Sequence, residues 1–237
     1  QTDEGVTVHF RDGSQWQGDL LVGADGIFSK VRKFVVPDVE LCYLGDLVWR
    51  GVVEDATFCQ PGDFIVYARG RGIYANFFDI GRVPYQENAT KRTHWGFFIE
   101  KDQDEDEVGI LRPQNTAIPL KELAKLPYEA RAVIESTPPE QITCRYSYDI
   151  DPLPYLYSGR IILIGDAAHA KSPTRARGMT SGFEDALTLS RYLTECASVT
   201  EALEAFQNER LPIVHEYQLS SRQLSRRIGR ARSKKAA

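Results

Sequence analysis

Two short stretches set an acid beside glycine at the end of an apolar run: Asp25-Gly26 after Leu20-Leu21-Val22, and Gly165-Asp166 after Ile161-Ile162-Leu163-Ile164. In open α/β sheets, ligands sit outside the carboxyl ends of strands, where loops and helix N-termini converge. Glycine lets a backbone approach a ligand closely. An aspartate there accepts hydrogen bonds from sugar-like hydroxyls, and the start of a following helix offers free amides to an anion. Either pair alone is also an ordinary turn and cap.

The elements that must position these residues are legible around them. Residues 6–10 and 15–21 read as extended runs joined at Asp12-Gly13, a β-hairpin, and a short apolar strand then runs to Asp25-Gly26. A helix start follows over 29–34, with Ser29 as its cap. Between about 44 and 110 the pattern changes to strands rich in aromatic and β-branched residues, at 47–53, 63–67, 73–79 and 94–100. They predict a mostly antiparallel sheet. A helix fits 120–136, ahead of Pro138-Pro139, and extended chain runs through Tyr148 to a second apolar strand at 160–164. Two helices close the chain. The first carries Phe183, Ala186, Leu187, Ser190 and Leu193 at helical spacing, with Ser181 and Glu184 placed as a capping box. The second opens on a similar box, Ser198 and Glu201, buries Ala202, Leu203 and Phe206, and continues past Pro212 to Ile228.

The 237 residues, 42% hydrophobic and 26% charged, suit one large globular domain or two small ones. A net charge of -4 gives no general pull toward nucleic acid. The basic run from Arg222 to Lys235 reads as a solvated helix end, and the acidic run from Asp102 to Glu107 as a solvated loop rather than a metal site. Cys42, Cys59, Cys144 and Cys196 lack any metal-ligand spacing, which fits a reducing, cytoplasmic setting without structural zinc. No apolar stretch approaches the length of a membrane span.

The string GDLLVGADGIFSKVR (18–32) resembles the DG motif, and GRIILIGDAAHAKSP (159–173) the GD motif, of FAD-dependent monooxygenases similar to p-hydroxybenzoate and salicylate hydroxylases and zeaxanthin epoxidase. The resemblance continues through EDALTLSRYL (184–193) and EAFQNERLPIVHEYQLSSR (204–222), spanning nearly the whole chain. It implies an α/β (α+β) protein. A partial FAD-binding, Rossmann-like domain (1–43 and 141–237) would enclose an inserted, mostly antiparallel substrate-domain sheet (44–140) and end in the C-terminal helices. By the same resemblance Asp166 binds ribityl hydroxyls of FAD, and Gly165 gives the cofactor room. Asp25 and Gly26 lie near the pyrophosphate, and Arg32 supports that loop or the approach of NAD(P)H. Pro173 and the backbone of Gly178, Met179 and Thr180 face the flavin, whose reduced ring a helix N-terminus would stabilise. Arg50, Tyr74, Phe77 and Trp95 fall on the substrate side, with ordinary sheet core as the other reading of these aromatics. His169 belongs to the turn rather than to the chemistry, and the resemblance implies no catalytic side chain, because the flavin carries the oxygen transfer.

The sequence departs from this pattern in two places. Family members usually show Pro-x-x-Gly-Gln-Gly where this chain has Pro173-Thr174-Arg175-Ala176-Arg177-Gly178. Ala176 adds a methyl, and Arg177 a cation, beside the expected flavin. The family also opens with a strand, a glycine-rich turn and a helix. The one nominal match, at Gly70-Arg71-Gly72, runs on as strand, and the chain opens on Gln1 with its single methionine at 179, so that first βαβ unit is expected to lie outside this sequence. An uncovered sheet edge would favour self-association.

The expected activity is oxygenation, by hydroxylation or epoxidation, of a small hydrophobic aromatic or isoprenoid substrate with FAD, NAD(P)H and molecular oxygen. The alternatives are a flavin-dependent reductase of the same fold and a truncated, non-catalytic remnant acting as a binding module.

Overall fold

The computed structural model describes residues 1–54, 57–68, 72–81, 91–103 and 110–227. Residues 70–71, 104–107 and 228–235, on which the glycine-rich look-alike, the acidic run and most of the basic tail depend, lie outside them. The fold is mixed α/β with antiparallel sheets and C-terminal helices. It divides into two compact units, Gln1–Cys42 with Tyr148–Leu224, and Tyr43–Ser147 with Ser225–Ala237.

The first unit begins with the expected hairpin, β1 (Val6–His9) against β2 (Gln15–Gly18), in antiparallel register from Val6↔Gly18 to His9↔Gln15. Asp12 fixes its turn by accepting from the Ser14 backbone N–H (2.9 Å) and hydroxyl (2.6 Å). Next, β3 (Leu21–Gly23) pairs in parallel with β10 (Ile161–Leu163), joining Leu21 to Ile161 and Gly23 to Leu163. The two-residue β9 (Tyr157–Ser158), too short for a periodic signal, lies antiparallel on the far side of β10. Ile162, Leu163, Leu156, Leu203 and Phe206, all nearly or fully buried, form the centre of this unit's core.

Three helices follow β10: α4 (Asp166–His169), α5 (Gly178–Glu195) and α6 (Val199–Arg227). Ser198 and Glu201 cap α6 as expected, Ser198 accepting from the Glu201 N–H (3.2 Å) while the Glu201 carboxylate accepts from the Ala197 N–H (3.0 Å). In α5 the expectation is reversed. The helix starts three residues before Ser181, so Ser181 and Glu184 form no capping box, and the Ser181 hydroxyl donates back to the Arg177 carbonyl (2.8 Å). Phe183, Ala186, Leu187, Ser190 and Leu193 are exposed, while Ser181, Asp185 and Leu189 are buried. Arg222 is no solvated helix end either: it grips the buried Asp149 with two hydrogen bonds, of 2.8 and 2.7 Å.

The second unit is built on a five-stranded sheet. Between the short helix α1 (Arg32–Val35) and α4, the chain supplies β4 (Leu41–Glu54), β5 (Phe64–Ala68), β6 (Ile73–Asp79), β7 (Arg92–Glu100) and β8 (Thr143–Ile150), in spatial order β5-β6-β7-β4-β8. The helix expected over 120–136 is two helices, α2 (Leu120–Leu123) and α3 (Tyr128–Glu135). Pro127 separates them, because proline lacks the N–H that would continue the ladder. Facing positions across β4, β7 and β6 alternate between two sets. Gly51, Trp95 and Phe77 share one face, and Arg50, Gly96 and Asn76 the other.

Gly51 is where Trp95 needs the absence of a side chain. A Cβ there would stand 2.6 Å from the indole, which is fully buried and tied by its Nε1–H to Thr137 Oγ1 (2.8 Å). The ring cannot retreat without breaking that bond. Gly51→Ala is therefore expected to lower the unfolding free energy by about 1–3 kcal/mol, read from urea unfolding curves of the two proteins.

Candidate cofactor site

Because β3 and β10 run in parallel, their carboxyl ends bring Asp25-Gly26 and Gly165-Asp166 to one edge of the sheet. The two aspartates differ sharply there. The Asp25 carboxylate is occupied by its own turn, accepting from the Ser29 hydroxyl (2.5 Å) and from the N–H groups of Lys30 (2.7 Å) and Val31 (3.3 Å). Burial pushes this carboxyl up, but the three hydrogen bonds outweigh it and hold it below the usual carboxylate range. Gly26 closes the turn with φ 79°. Ser29 also accepts from the Arg32 N–H (2.8 Å), but it is not the cap expected of it: the helix is only Arg32–Val35 and its N-cap is Val31, without a side-chain cap bond. The buried Arg32 guanidinium donates to the Ile27 carbonyl through both terminal nitrogens. Burial lowers its pKa, against the fields of Asp25 and Asp166. It braces the turn from beneath and lines a cavity of about 570 Å³ with Phe28, Val36 and Leu41.

Asp166, by contrast, is exposed, and its carboxylate makes no hydrogen bond or ion pair among the described residues. Gly165 before it has φ 58° and ψ −143°, a conformation that side chains other than glycine's rarely tolerate. The start of α5 is also unsatisfied. The N–H groups of Gly178, Met179 and Thr180 precede the first helical bond, from Ser181 N–H to Arg177 O (3.0 Å), and no side chain caps them. Pro173 opens an exposed 3₁₀ turn (Pro173–Arg175) that ends on Ala176 in the left-handed region, φ 52° and ψ 26°. Alanine there costs about 1–2 kcal/mol that glycine would not. Arg177 turns toward the protein, its guanidinium 5.0 Å from the Tyr217 ring centroid and 3.5 Å from Glu184.

Beneath this edge lies a buried polar network. Asp185 Oδ2 accepts from the Gly165 N–H (2.9 Å) and lies 2.5 Å from His169 Nε2, while its Oδ1 accepts from Arg210 Nε (2.9 Å). Lys171 Nζ bridges His169 Nδ1 and Ser181 Oγ, at 2.7 Å each. With Lys171 donating to Nδ1, the imidazole proton sits on Nε2 and points at Asp185. Burial pushes the Lys171 ammonium down to about 8, against the fields of Asp166 and Asp185.

That shift carries a sign for stability. Between about pH 8 and 10.5 the unfolded lysine holds its proton while the folded one has lost it. Unfolding free energy therefore rises with pH across this window, by up to roughly 3 kcal/mol, and the gain is lost as pH falls to 8. Urea unfolding from pH 7.5 to 10.5 should show the rise in the wild type and not in Lys171→Met.

The FAD binding domain family matches residues 1–219. The chain belongs to this family. Aurachin C monooxygenase/isomerase of Stigmatella aurantiaca is 30% identical over 214 residues, covering 90% of this chain and 52% of that protein. The FAD-dependent urate hydroxylase of Klebsiella pneumoniae is 28% identical over 222 residues, covering 92% and 54%. The chain spans about half the length of the curated relatives it matches. Klebsiella pneumoniae HpxO, solved with FAD and uric acid, superposes with a TM-score of 0.78 at 25% identity, over 100% of this chain and 57% of that one. The salicylate hydroxylase substrate complex shares the fold, with a TM-score of 0.73 at 24% identity over 99% and 61%.

For this FAD binding domain family member, the residues expected on the substrate side separate. Arg50 is exposed and Tyr74 half-buried, on one face of the second unit's sheet. Phe77 and Trp95 are wholly buried on the other, Phe77 against Phe58 and Tyr67 and Trp95 bonded to Thr137. They are sheet core. The face of Arg50 and Tyr74 also carries His94, stacked on Phe78 at 4.5 Å. Sequence reasoning missed Lys171, Asp185 and Arg210. The available signal was the Ser181, Asp185, Leu189 spacing, which marks one helical face with polar residues.

Proposed function

We propose that this chain holds the flavin and ribityl part of FAD for an NAD(P)H-dependent monooxygenase acting on a small hydrophobic, aromatic or isoprenoid substrate. The observation that carries the reading is the exposed Asp166 carboxylate, without a hydrogen-bond or ion-pair partner among the described residues, at the carboxyl end of a parallel strand pair and beside the uncapped start of α5. The FAD and uric acid in the HpxO structure, and the monooxygenase and hydroxylase names of the relatives, support it.

In this reading Asp166 accepts from ribityl hydroxyls, and Gly165 keeps the backbone close. The amides of Gly178, Met179 and Thr180 face the pyrimidine edge of the flavin, where an uncapped helix start favours negative charge. FAD, when bound, supplies the redox chemistry that lets NAD(P)H reduce molecular oxygen. Asp25, engaged by its own turn, shapes the pyrophosphate loop through backbone rather than carboxylate, and Arg32 braces that loop. Residues 1–43 and 141–237 make up the cofactor part and 44–140 the substrate part, with Arg50 and Tyr74 offering substrate contacts. The four dispersed cysteines, without metal-ligand spacing, suit a reducing, cytoplasmic setting. Among the described residues no helix is long and apolar enough to cross a membrane. The exposed Met179, Phe183 and Leu187 on α5 support association with a second copy, which sedimentation of the wild type and Leu187→Lys would test.

The class is tested by mixing the flavin-loaded protein with NADH and NADPH, without oxygen, across an aromatic and isoprenoid panel, then admitting labelled oxygen. A substrate that speeds flavin reduction and leaves carrying label is the expected result. Reduction with no label in any product would point to a reductase. No substrate response at all would remove the monooxygenase reading.

A further inference from the structure

The network under Gly165 is larger than a cap requires. Asp185 is buried, with 1% of its side chain exposed, yet three groups from three parts of the chain donate to it: the Gly165 N–H ahead of α4, His169 within α4, and Arg210 of α6. The remaining bonds return to the same two places. Arg210 also donates to the Ser181 carbonyl (3.3 Å) and to Glu184 (3.0 Å), and Lys171 ties His169 to the Ser181 hydroxyl. Every bond except the one between Lys171 and His169 therefore has one end on the first eight residues of α5. Gly182 faces this loop as well: a Cβ there would meet the Gly165 Cα at 3.6 Å, an ordinary van der Waals contact.

We propose that Asp185 is the positioning residue of this edge: by holding the Gly165 N–H it aims the Asp166 carboxylate and fixes the loop against α5, without itself touching cofactor. An amide N–H leaves the loop two ways to rotate, inward to a buried acceptor or outward to water, and glycine's freedom at φ 58° makes both accessible. A charged acceptor 2.9 Å away selects the inward one. Arg210 and His169 keep Asp185 ionised despite burial: desolvation pushes its carboxyl up, and the bonds from His169, Gly165 and Arg210 outweigh this and hold it below the usual range. Lys171, Glu184 and Asp166 are the other ionisable groups facing the cluster.

The consequence for cofactor rests on the FAD reading above; the hold on Gly165 does not. Asp185→Asn keeps the shape but replaces one acceptor by an NH₂ that must face a donor, since every neighbour donates. Two readouts separate the claims, both on the whole 237-residue chain. Hydrogen exchange at the Gly165 amide, without FAD, should quicken about tenfold or more in Asp185→Asn, while amides in β10 keep their relative protection. FAD dissociation constants by fluorescence quenching should rise by a similar factor. Unchanged Gly165 exchange in a folded Asp185→Asn overturns the proposal, and so does equal FAD affinity in wild type and variant. A wild type that binds no FAD, with Gly165 exchange still quickened by the substitution, would instead overturn the FAD reading and leave the positioning of Gly165 standing. Should the variant not fold, the wild type suffices: on acidification the Gly165 amide resonance should move with the Asp185 carboxyl carbon, and an amide indifferent to that protonation refutes the contact.

Discussion

Arg222→Met is expected to lower the unfolding free energy by about 3–5 kcal/mol, the largest effect of any single substitution considered for this chain. Arg222 holds both oxygens of Asp149 and reaches Asp151 (2.6 Å) and the Ile150 carbonyl (3.2 Å). The Asp149 side chain is 1% exposed, so losing the guanidinium leaves a carboxylate that water cannot solvate. Methionine fills the space and supplies no charge. The hydrogen bonds to Asp149 and Asp151 hold the Arg222 pKa above its ordinary value, so no accessible pH removes its charge. The contrast is Arg191 with Glu209, close in distance (2.6 Å) but with both side chains more than a third exposed. Solvent screens that pair, and Arg191→Met should barely move the curve. Urea unfolding of the three proteins decides it: equal midpoints for wild type and Arg222→Met would show that burial at Asp149 is not what makes the pair matter.

Asp166→Ala should weaken FAD binding by about 10- to 100-fold, the equivalent of losing hydrogen bonds to a charged group worth ~1.5–3 kcal/mol. The carboxylate has no partner among the described residues to lose, so the substitution should leave stability almost unchanged. Asp166→Asn should cost less, because an amide oxygen still accepts. Asp25→Ala should behave the other way. Its carboxylate serves Ser29, Lys30 and Val31, so stability should fall first and cofactor affinity only as a result. Calorimetric titration paired with thermal melts separates the two aspartates; equal FAD affinity in wild type and Asp166→Ala would take the ribityl role away from Asp166.

What could be read from the sequence is what local pattern encodes. Short apolar runs ending in glycine and aspartate locate β3 and β10, and alternating aromatic and β-branched residues locate β6 and β7 within two residues but only the second half of β4, expected from 47 and running from Leu41. Sheet faces are another matter. Arg50 and Tyr74 lie on one face and Phe77 and Trp95 on the other, and only cross-strand register, a long-range property, sorts them. The α5 helix misled for a related reason. Its apolar residues at helical spacing suggest a buried stripe, but the helix buries Ser181 and Asp185, whose partners Gly165 and Arg210 lie 20 to 29 residues away in sequence. Buried polar groups are tolerated because such partners satisfy them, and no local window contains those partners. Arg222 hid in the same way, reading as one of a basic run while its acid lies 73 residues earlier.

The central claim, that the edge formed by Gly165, Asp166 and the start of α5 holds the flavin and ribityl part of FAD, is tested most directly by nuclear magnetic resonance on the ¹⁵N-labelled chain titrated with FAD, FMN and AMP. FAD and FMN share the ring and ribityl chain; AMP has neither. FAD and FMN are both expected to shift the amides of Gly165, Asp166, Gly178, Met179 and Thr180, AMP to leave them in place, and Asp166→Ala to weaken both flavin titrations. Flavins that leave these five amides unmoved at millimolar concentration, or AMP shifting them as FAD does, would contradict it.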